Sequence, residues 1–398
     1  MDKTGVCWLM RLSLTFCYSC CLWQSSPAQE AMLARTPPMG WNSWYGIGSK
    51  VSDAILRAQV DAMVRNGMRD LGYVYVNIDG GWEGQRDVHG VIHPNSNFPD
   101  MKALADYIHS KGFKFGIYSS PGPKTCDQLE GSWAHEDQDA QTYAAWGVDF
   151  LKYDWCNADV VYQGPGSPQA ASKKMHDALV RTGRPILFSL CIGLELPWRW
   201  GPSVGASMWR TAPDIGDANS DRTTLVGFQQ AGLERFAGPG RWNDPDMLMV
   251  GLGKLDVNEN RMQMSLWCLL AAPLLASADL TKISSADLAI LTNPEVIAID
   301  QDPAGVQGYR VFEEGPLEVW VKPLADGSKA VGLFNHDERA TPVTASFKEV
   351  GIRESASVRD LWARKTLGVF KDSFTAEVPT NGAVLLRMTP DPGKFRGE

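Results

Sequence analysis

The strongest constraint on the fold is a repeated alternation of short apolar runs with amphipathic helical patterns between Pro37 and Asp302. Short apolar runs indicate buried strands, whereas apolar residues spaced three and four apart indicate helices. The predicted strands are Tyr73–Ile78, Phe113–Tyr118, Val148–Tyr153, Pro185–Cys191, Ser207–Thr211 and one ending at Met247–Val250. The predicted helices are Met101–Lys111, Asp139–Trp146, Lys173–Thr182, Thr223–Ala237, Asn260–Ala272 and Ser284–Leu291. This alternation predicts a parallel sheet, and its length favours a closed (β/α)8 TIM barrel.

After Asp302 the pattern changes to short strand-like runs bounded by turn signals such as Asp326-Gly327 and Asn381-Gly382. These runs are Tyr309–Phe312, Leu317–Val321, Ala330–Phe334, Val343–Phe347, Ala356–Leu361 and Ala383–Met388. They predict a C-terminal antiparallel β-sandwich domain. The chain therefore divides into an N-terminal segment at 1–28, a barrel at 29–305 and a β domain at 306–398.

The N-terminal segment has the features of a signal peptide. Lys3 and Arg11 precede the apolar stretch Leu12–Trp23, and Ser26-Pro27-Ala28 places small residues where a signal peptidase cleaves. The stretch is too short to span a bilayer, and no later run is long enough, so we predict no membrane span. We expect a secreted or periplasmic protein whose translation starts at Met1 or Met10.

Composition narrows the class of ligand. The formal net charge of -8 argues against a nucleic-acid partner, because phosphate binding needs a basic surface. No cysteine spacing suits a metal site, so we predict no metal, and no glycine-rich dinucleotide motif follows a strand, which disfavours a dinucleotide cofactor. The 15 Trp fit a sugar ligand, whose C–H faces stack on aromatic rings, but they equally fill a large core. The sequence leaves the oligomeric state open.

Polar residues follow several predicted barrel strands, where catalytic groups of such barrels project. They are Asp79, Tyr118, Lys152, Asp154, Arg210, Asp214 and Asp246. Two carboxylates suffice to hydrolyse a glycosidic bond, because one attacks the anomeric carbon or activates water and the other protonates the leaving oxygen. Lys152 would share a strand face with Asp154 and keep it ionised, and Arg210 would orient Asp214 or a sugar hydroxyl. A single Asp at a strand end forms a structural ion pair about as often as it serves a function. A whole ring of such polar groups is costly to bury, which favours a functional site.

The residues around these positions resemble glycoside hydrolase family 27, which contains α-galactosidases and α-N-acetylgalactosaminidases. The resemblance is carried by Thr36–Trp44, Lys152–Cys156, Trp209–Arg210 with Asp214–Asp217, Gly238–Met247 and Ala298–Pro303. It runs from about Arg35 into the β domain, so it covers most of the chain.

The resemblance implies a barrel with a C-terminal β domain that hydrolyses terminal α-D-galactosyl residues of a glycoside or oligosaccharide, with retention and without a cofactor. It implies that Asp154 is the nucleophile and Asp214 the general acid/base. The implied sugar-binding residues are Trp44, Asp79, Tyr118, Lys152, Arg210 and Asp246. It also implies a Cys126–Cys156 disulfide, whose loop closure would stabilise the fold by about 3–4 kcal/mol.

Two departures from the family pattern bear on the substrate. Gly80 stands where α-galactosidases carry a second Asp that binds hydroxyls on the far side of the sugar, and Glu83 is a candidate replacement. Ile192 stands where many members carry an acidic or amide residue in the loop that reads the 2-substituent. Cys191 lacks an evident partner, so we expect a second family disulfide to be missing. β-L-Arabinopyranosides and α-N-acetylgalactosaminides therefore remain alternative substrates.

Two other classes of protein compete with a glycosidase. A non-catalytic carbohydrate-binding barrel is disfavoured because Asp154 and Asp214 are both present. A lyase or isomerase that abstracts a proton would favour a Lys or His base with a metal or phosphate site. No motif of that kind accompanies the strand-end residues.

Overall fold

The first domain is an eight-stranded parallel barrel. The computed structural model describes Met1 and residues 33–193, 195–216 and 220–391. The barrel strands are β1 Met39–Asn42, β2 Tyr75–Asn77, β3 Lys114–Ser119, β4 Phe150–Asp154, β5 Leu187–Cys191, β6 Met208–Arg210, β7 Trp242–Asp244 and β8 Leu274–Ala276. They run in the order β8-β1-β2-β3-β4-β5-β6-β7, which confirms the predicted barrel. Apart from Met1, the predicted signal peptide lies outside the described residues.

Helices connect the strands and cover the outside of the barrel. They are α1 Asp53–Arg65, α2 Met101–Ser110, α3 Glu136–Trp146, α4 Ser167–Arg181, α5 Ser220–Phe228, α6 Val257–Leu270, α7 Ser285–Leu291 and α8 Pro294–Asp300, with a single helical turn at Trp44–Ile47. The Ser52 side chain caps α1 by accepting the Ile55 N–H, and Asp256 forms a capping box with Glu259 at the start of α6. Among the described residues, we find no helix with the length and apolarity needed to cross a bilayer.

Two predictions between β6 and β8 were wrong. The predicted strand end at Met247–Val250 is instead a loop after β7, in which Leu248 makes one parallel bridge to Ala276 of β8. This bridge joins the segment after β7 to β8, the strand at the other end of the sheet order, and so closes the barrel. The predicted helix Thr223–Ala237 instead ends at Phe228. The chain then turns through Gly232, which has a φ of 89°, and forms a 3-10 turn at Glu234–Phe236.

The second domain is antiparallel, as predicted. Its strands are β9 Tyr309–Glu314, β10 Leu317–Pro323, β11 Lys329–Asn335, β12 Thr341–Ser346, β13 Ser355–Asp360, β14 Lys365–Lys371, β15 Ser373–Val378 and β16 Gly382–Pro390. They form a six-stranded sheet, β9-β10-β11-β16-β13-β14, and a two-stranded sheet, β12-β15. A second hydrophobic core lies between these sheets. Two short strands, Glu83–Arg86 and Ile92–Pro94, form a separate hairpin after β2.

Buried polar contacts fix the β domain against the barrel. The Lys322 ammonium donates to the carbonyl of Cys268 at 3.1 Å, and the Trp362 indole N–H donates to Ser265 Oγ at 2.9 Å, both on α6. The Asn293 amide donates to the Leu361 carbonyl at 3.0 Å. These contacts lie along α6 and the start of α8, so the β domain supports the outside of the barrel rather than its strand ends.

Candidate active site

A single pocket at the carboxyl ends of the barrel strands collects the predicted site residues. Its empty volume, which includes space open to solvent, is about 390 Å³. Its lining contains seven predicted residues, namely Trp44, Asp79, Tyr118, Lys152, Asp154, Arg210 and Asp214. It also contains Tyr45, Gly80, Cys126, Asp127 and Met247. The barrel thus brings carboxylates from four separate segments around one cavity.

Asp154 is the last residue of β4 and lies half-buried in the pocket. Its Oδ1 accepts the N–H of Trp155 at 2.8 Å, which fixes the orientation of the carboxylate. Desolvation raises the pKa of Asp154, and the Asp79 and Asp214 carboxylates add to this effect, whereas Lys152 and the Trp155 N–H oppose it. The Lys152 ammonium therefore favours the ionised form of the Asp154 carboxylate and opposes the effect of burial.

Lys152 and Asp79 form a recessed ion pair beside Asp154. The Lys152 Nζ lies 2.8 Å from Asp79 Oδ2 and 5.2 Å from the centre of the Tyr118 ring. Burial lowers the pKa of Lys152, but the acidic groups around it, Asp79 foremost and then Cys191 and Asp154, together outweigh burial and hold that pKa well above its usual range. Asp79 Oδ2 also accepts from the Asn42 amide at 2.9 Å. This pair presents one fixed cation and one fixed anion to a bound sugar.

Asp214 lies at the mouth of the pocket, on the segment after β6. Its Oδ1 accepts from Arg210 Nη1 at 2.9 Å, and its side chain is 69% exposed, against 6% for Arg210. Arg210 Nη2 also donates to the Ala212 carbonyl at 3.1 Å. One carboxylate is therefore recessed beside a lysine, while the other is open to solvent and held by an arginine.

Asp246 differs from its predicted role, because it lies behind the pocket wall and is only 1% exposed. Its Oδ2 accepts from Tyr45 Oη at 2.6 Å and from the Ile215 N–H at 2.9 Å, and lies 3.1 Å from Arg210 Nη2. Its φ of 110° is a strained value for a residue with a side chain. Asp246 is thus a positioning residue that holds Tyr45, Arg210 and the segment carrying Asp214.

The predicted Cys126–Cys156 disulfide is present, with the two Cα atoms 5.0 Å apart. It joins the loop after β3 to the segment directly after Asp154, and the Tyr118 hydroxyl lies 3.4 Å from Cys156 Sγ. Cys191 is buried and free, so the described residues lack a second disulfide at this position, as expected. The Cys126 and Cys156 sulfurs also lie near the Asp154 carboxylate, but the disulfide leaves no thiolate there to bind a metal.

Sequence reasoning missed Tyr45, Asp127 and Met247 as lining residues. Tyr45 directly follows the motif Thr36–Trp44, Met247 is the last residue of the motif Gly238–Met247, and Asp127 directly follows Cys126, so each stood within or next to a usable signal. Two other expectations fail: Ile192 is buried in the core, and Glu83 is 1% exposed. Neither side chain lines the pocket, so neither reads a sugar substituent directly.

Glu83 leads to a prediction about stability. Burial raises the pKa of Glu83 from its ordinary value of 4.5 to about 8, while the Gly81 N–H, donating to Oε2 at 3.0 Å, opposes the shift. The folded protein then holds a proton that the unfolded chain releases, so stability falls as pH rises from about 4.5 to about 8. The wild type should therefore lose unfolding free energy between pH 5 and pH 8. In Glu83→Gln this loss should be smaller by roughly 1–4 kcal/mol.

Urea unfolding of both proteins at the two pH values measures this difference. Glu338→Gln is the matched control, because Glu338 is exposed on a loop of the β domain. The control should keep the wild-type dependence on pH. An equal dependence in wild type and Glu83→Gln would show that Glu83 is already ionised in the fold.

Comparison with known proteins identifies the family. The sequence model described as alpha galactosidase A matches residues 36–302, and the one described as the alpha galactosidase C-terminal beta sandwich domain matches residues 314–388. The chain belongs to the α-galactosidase family of glycoside hydrolases. Alpha-galactosidase A of Cellvibrio japonicus is 42% identical over 392 residues, which cover 92% of this chain and 95% of that protein.

Solved structures of the same family share the fold. Alpha-galactosidase I from Mortierella vinacea is similar with a TM-score of 0.84 and 32% identity, covering 90% of this chain and 98% of that one. A β-L-arabinopyranosidase from Geobacillus stearothermophilus is similar with a TM-score of 0.81 and 27% identity, covering 92% of this chain and 99% of that one. Members with different sugars thus share this architecture, and the pocket must decide the substrate.

Proposed function

We propose that this protein is an exo-acting, retaining α-galactosidase that removes terminal α-D-galactosyl residues from glycosides through a covalent intermediate on Asp154. The observation that carries the proposal is the placement of Asp154 and Asp214 in one pocket, with Lys152 beside the first and Arg210 holding the second. The 42% identity to alpha-galactosidase A of Cellvibrio japonicus supports the choice of sugar.

In the first step, the Asp154 carboxylate attacks the anomeric carbon and the bond to the leaving oxygen breaks. Asp214 donates a proton to that oxygen, so the aglycone leaves as a neutral alcohol. Lys152 and Asp79 bind hydroxyls on the recessed side and hold the ring in place. Asp214 suits the proton transfer because its exposed side chain exchanges protons with solvent.

In the second step, Asp214 is a carboxylate and accepts a proton from an entering water molecule. That water attacks the anomeric carbon, the bond to Asp154 breaks, and both residues return to their starting protonation states. Each displacement inverts the anomeric centre, so the product keeps the configuration of the substrate. Asp246 contributes indirectly, because it positions Arg210 and Tyr45.

A panel of aryl glycosides tests the choice of sugar: an α-galactoside, an α-N-acetylgalactosaminide, a β-L-arabinopyranoside and an α-glucoside. We expect the highest kcat/KM on the α-galactoside, with an α-configured first product in a proton NMR time course. A preference for the β-L-arabinopyranoside would favour the activity named for the Geobacillus relative. Turnover of none of the four would leave the non-catalytic carbohydrate-binding barrel as the better reading.

We also propose that the enzyme works outside the cytoplasm, secreted or in a periplasm, after removal of the segment at 1–28. The Cys126–Cys156 disulfide supports this location, because such bonds persist in oxidising compartments. N-terminal sequencing of the mature protein should begin at Gln29, whereas a protein that retains Met1 or Met10 would contradict the proposal.

A further inference from the structure

The space next to Gly80 is occupied by the side chain of Asp127. A Cβ built on Gly80 would lie 2.6 Å from Asp127 Oδ2 and 3.7 Å from Cε1 of Tyr118. Two such atoms do not approach below about 3 Å without a shift, so any side chain at Gly80 would displace the Asp127 carboxylate. The Asp127 carboxylate can therefore take this position because residue 80 is a glycine and has no side chain.

The loop that carries Asp127 is held firmly in place. Cys126 forms the disulfide to Cys156, and the Asn157 amide donates to the Thr125 carbonyl at 2.9 Å. Within the loop, the Thr125 and Leu129 backbones are joined by an N–H donation of 2.9 Å. A residue on a loop fixed at both sides is preorganised for binding.

The Asp127 carboxylate has unused capacity to accept hydrogen bonds. It lines the pocket and is partly buried, yet no side chain or backbone N–H in the described parts of the chain donates to it. Burial and the Asp79 carboxylate raise the pKa of Asp127, and Lys152 lowers it. These two charged groups, Asp79 and Lys152, belong to the recessed side of the pocket.

We propose that Asp127 is a specificity-determining, substrate-binding residue whose carboxylate accepts a hydrogen bond from a sugar hydroxyl on the Asp79–Lys152 side of the pocket. It supplies from the disulfide-linked loop the second carboxylate that a residue at position 80 would otherwise supply. This inference rests on the proposed function, because it assumes that the pocket binds a sugar. It assigns the chain two carboxylates, Asp79 and Asp127, for the side of the ring opposite the reacting groups.

Asp127→Asn tests the role, because it keeps the shape and removes the charge. We expect kcat/KM on the aryl α-galactoside to fall about 10–100-fold, mainly through KM, as for the loss of one hydrogen bond to a charged group. Asp106→Asn is the matched control, since Asp106 is exposed on α2 and pairs only with Lys102 among the described residues. The control should match the wild type within about twofold.

Deoxy substrates separate direct binding from a structural role. Aryl α-galactosides that each lack one hydroxyl, at C2, C3, C4 or C6, are compared in wild type and Asp127→Asn. If Asp127 binds a hydroxyl, the penalty of the substitution should nearly vanish for the analogue lacking that hydroxyl and persist for the others. A penalty that is equal for all four analogues, or absent from every substrate, overturns the proposal.

An exchange of the two positions gives an independent test. Gly80→Asp alone should lose activity because it collides with Asp127, whereas Gly80→Asp combined with Asp127→Gly should recover at least about tenfold in kcat/KM over Gly80→Asp. Thermal melting shows whether each variant is folded. If the double variant does not fold, the result for Asp127→Asn tests the proposal. Failure of the proposed function is distinguishable, because the wild type would then turn over no glycoside of the panel.

Discussion

Replacement of Asp154 by glycine is expected to lower kcat by roughly 10⁴-fold or more on every substrate, because it removes the carboxylate that bonds to the anomeric carbon. Among the pocket carboxylates of the described residues, only Asp154 ends a barrel strand beside Lys152. The recessed site keeps bulk water from replacing it efficiently. The protein should still fold, since the half-buried carboxylate accepts one backbone hydrogen bond and otherwise meets the cavity.

Azide makes this result specific to the nucleophile. In Asp154→Gly the small anion can enter the space left by the carboxylate and attack the same face of the sugar, giving a β-galactosyl azide while Asp214 still protonates the leaving oxygen. Asp177→Asn serves as a control on an exposed carboxylate of α4 and should leave kcat unchanged. Near-normal turnover by Asp154→Gly without azide would remove Asp154 from the mechanism.

The second large effect is expected at Asp214 and should depend on the leaving group. Asp214→Ala should lower kcat/KM by roughly 10²–10⁴-fold on an alkyl galactoside or oligosaccharide, whose leaving oxygen needs a proton. On a dinitrophenyl galactoside the first step should be nearly unaffected, because that phenolate leaves without protonation. The second step would then limit the rate, since no carboxylate activates the entering water, and the glycosylated enzyme should accumulate.

Measuring kcat/KM against leaving-group pKa for wild type and Asp214→Ala tests this role. The variant should show a steep dependence and the wild type a shallow one. Arg210 holds Asp214 at 2.9 Å, so Asp214→Asn checks whether any loss comes from Arg210 moving rather than from the missing proton. A uniform loss across all leaving groups in both variants would indicate that Asp214 has a binding role and not an acid/base role.

The barrel could be predicted from sequence because its strands are buried and read as apolar runs. β5, Leu187–Cys191, is buried throughout and was found. β8 was missed because only three residues, Leu274–Ala276, pair, and they follow an apolar helix without a break in hydrophobicity. α1 was missed although Ser52 and the apolar positions of Asp53–Arg65 carry a regular helical signal.

The β domain illustrates the opposite difficulty. β14 and β15 were missed because they expose much of their surface, so the alternation that identifies a half-buried strand is weak. Val369 of β14 is 63% exposed, and no sequence rule assigns such a residue to a core. Pairing with β13 and β12, rather than burial, defines these strands.

Most of the candidate site was predictable because barrel geometry gathers the ends of separate strands. The sequence could not predict how deeply each side chain is buried relative to the pocket. Asp246 is polar and lies near the end of a strand, as Asp154 does, but only the structure shows that it lies behind Arg210. The relation between Gly80 and Asp127 was equally hidden, because it depends on how a loop folds back through the Cys126–Cys156 bond.

The central claim, that Asp154 bonds to the sugar, is tested most directly by trapping. A 5-fluoro-α-galactosyl fluoride should glycosylate the wild-type enzyme rapidly and release it slowly, because the fluorine destabilises both transition states while the good leaving group favours the first step. Peptide mass spectrometry after proteolysis should then find one fluorinated hexosyl group on Asp154. A label on another residue, or turnover with inversion and no label, would contradict the account.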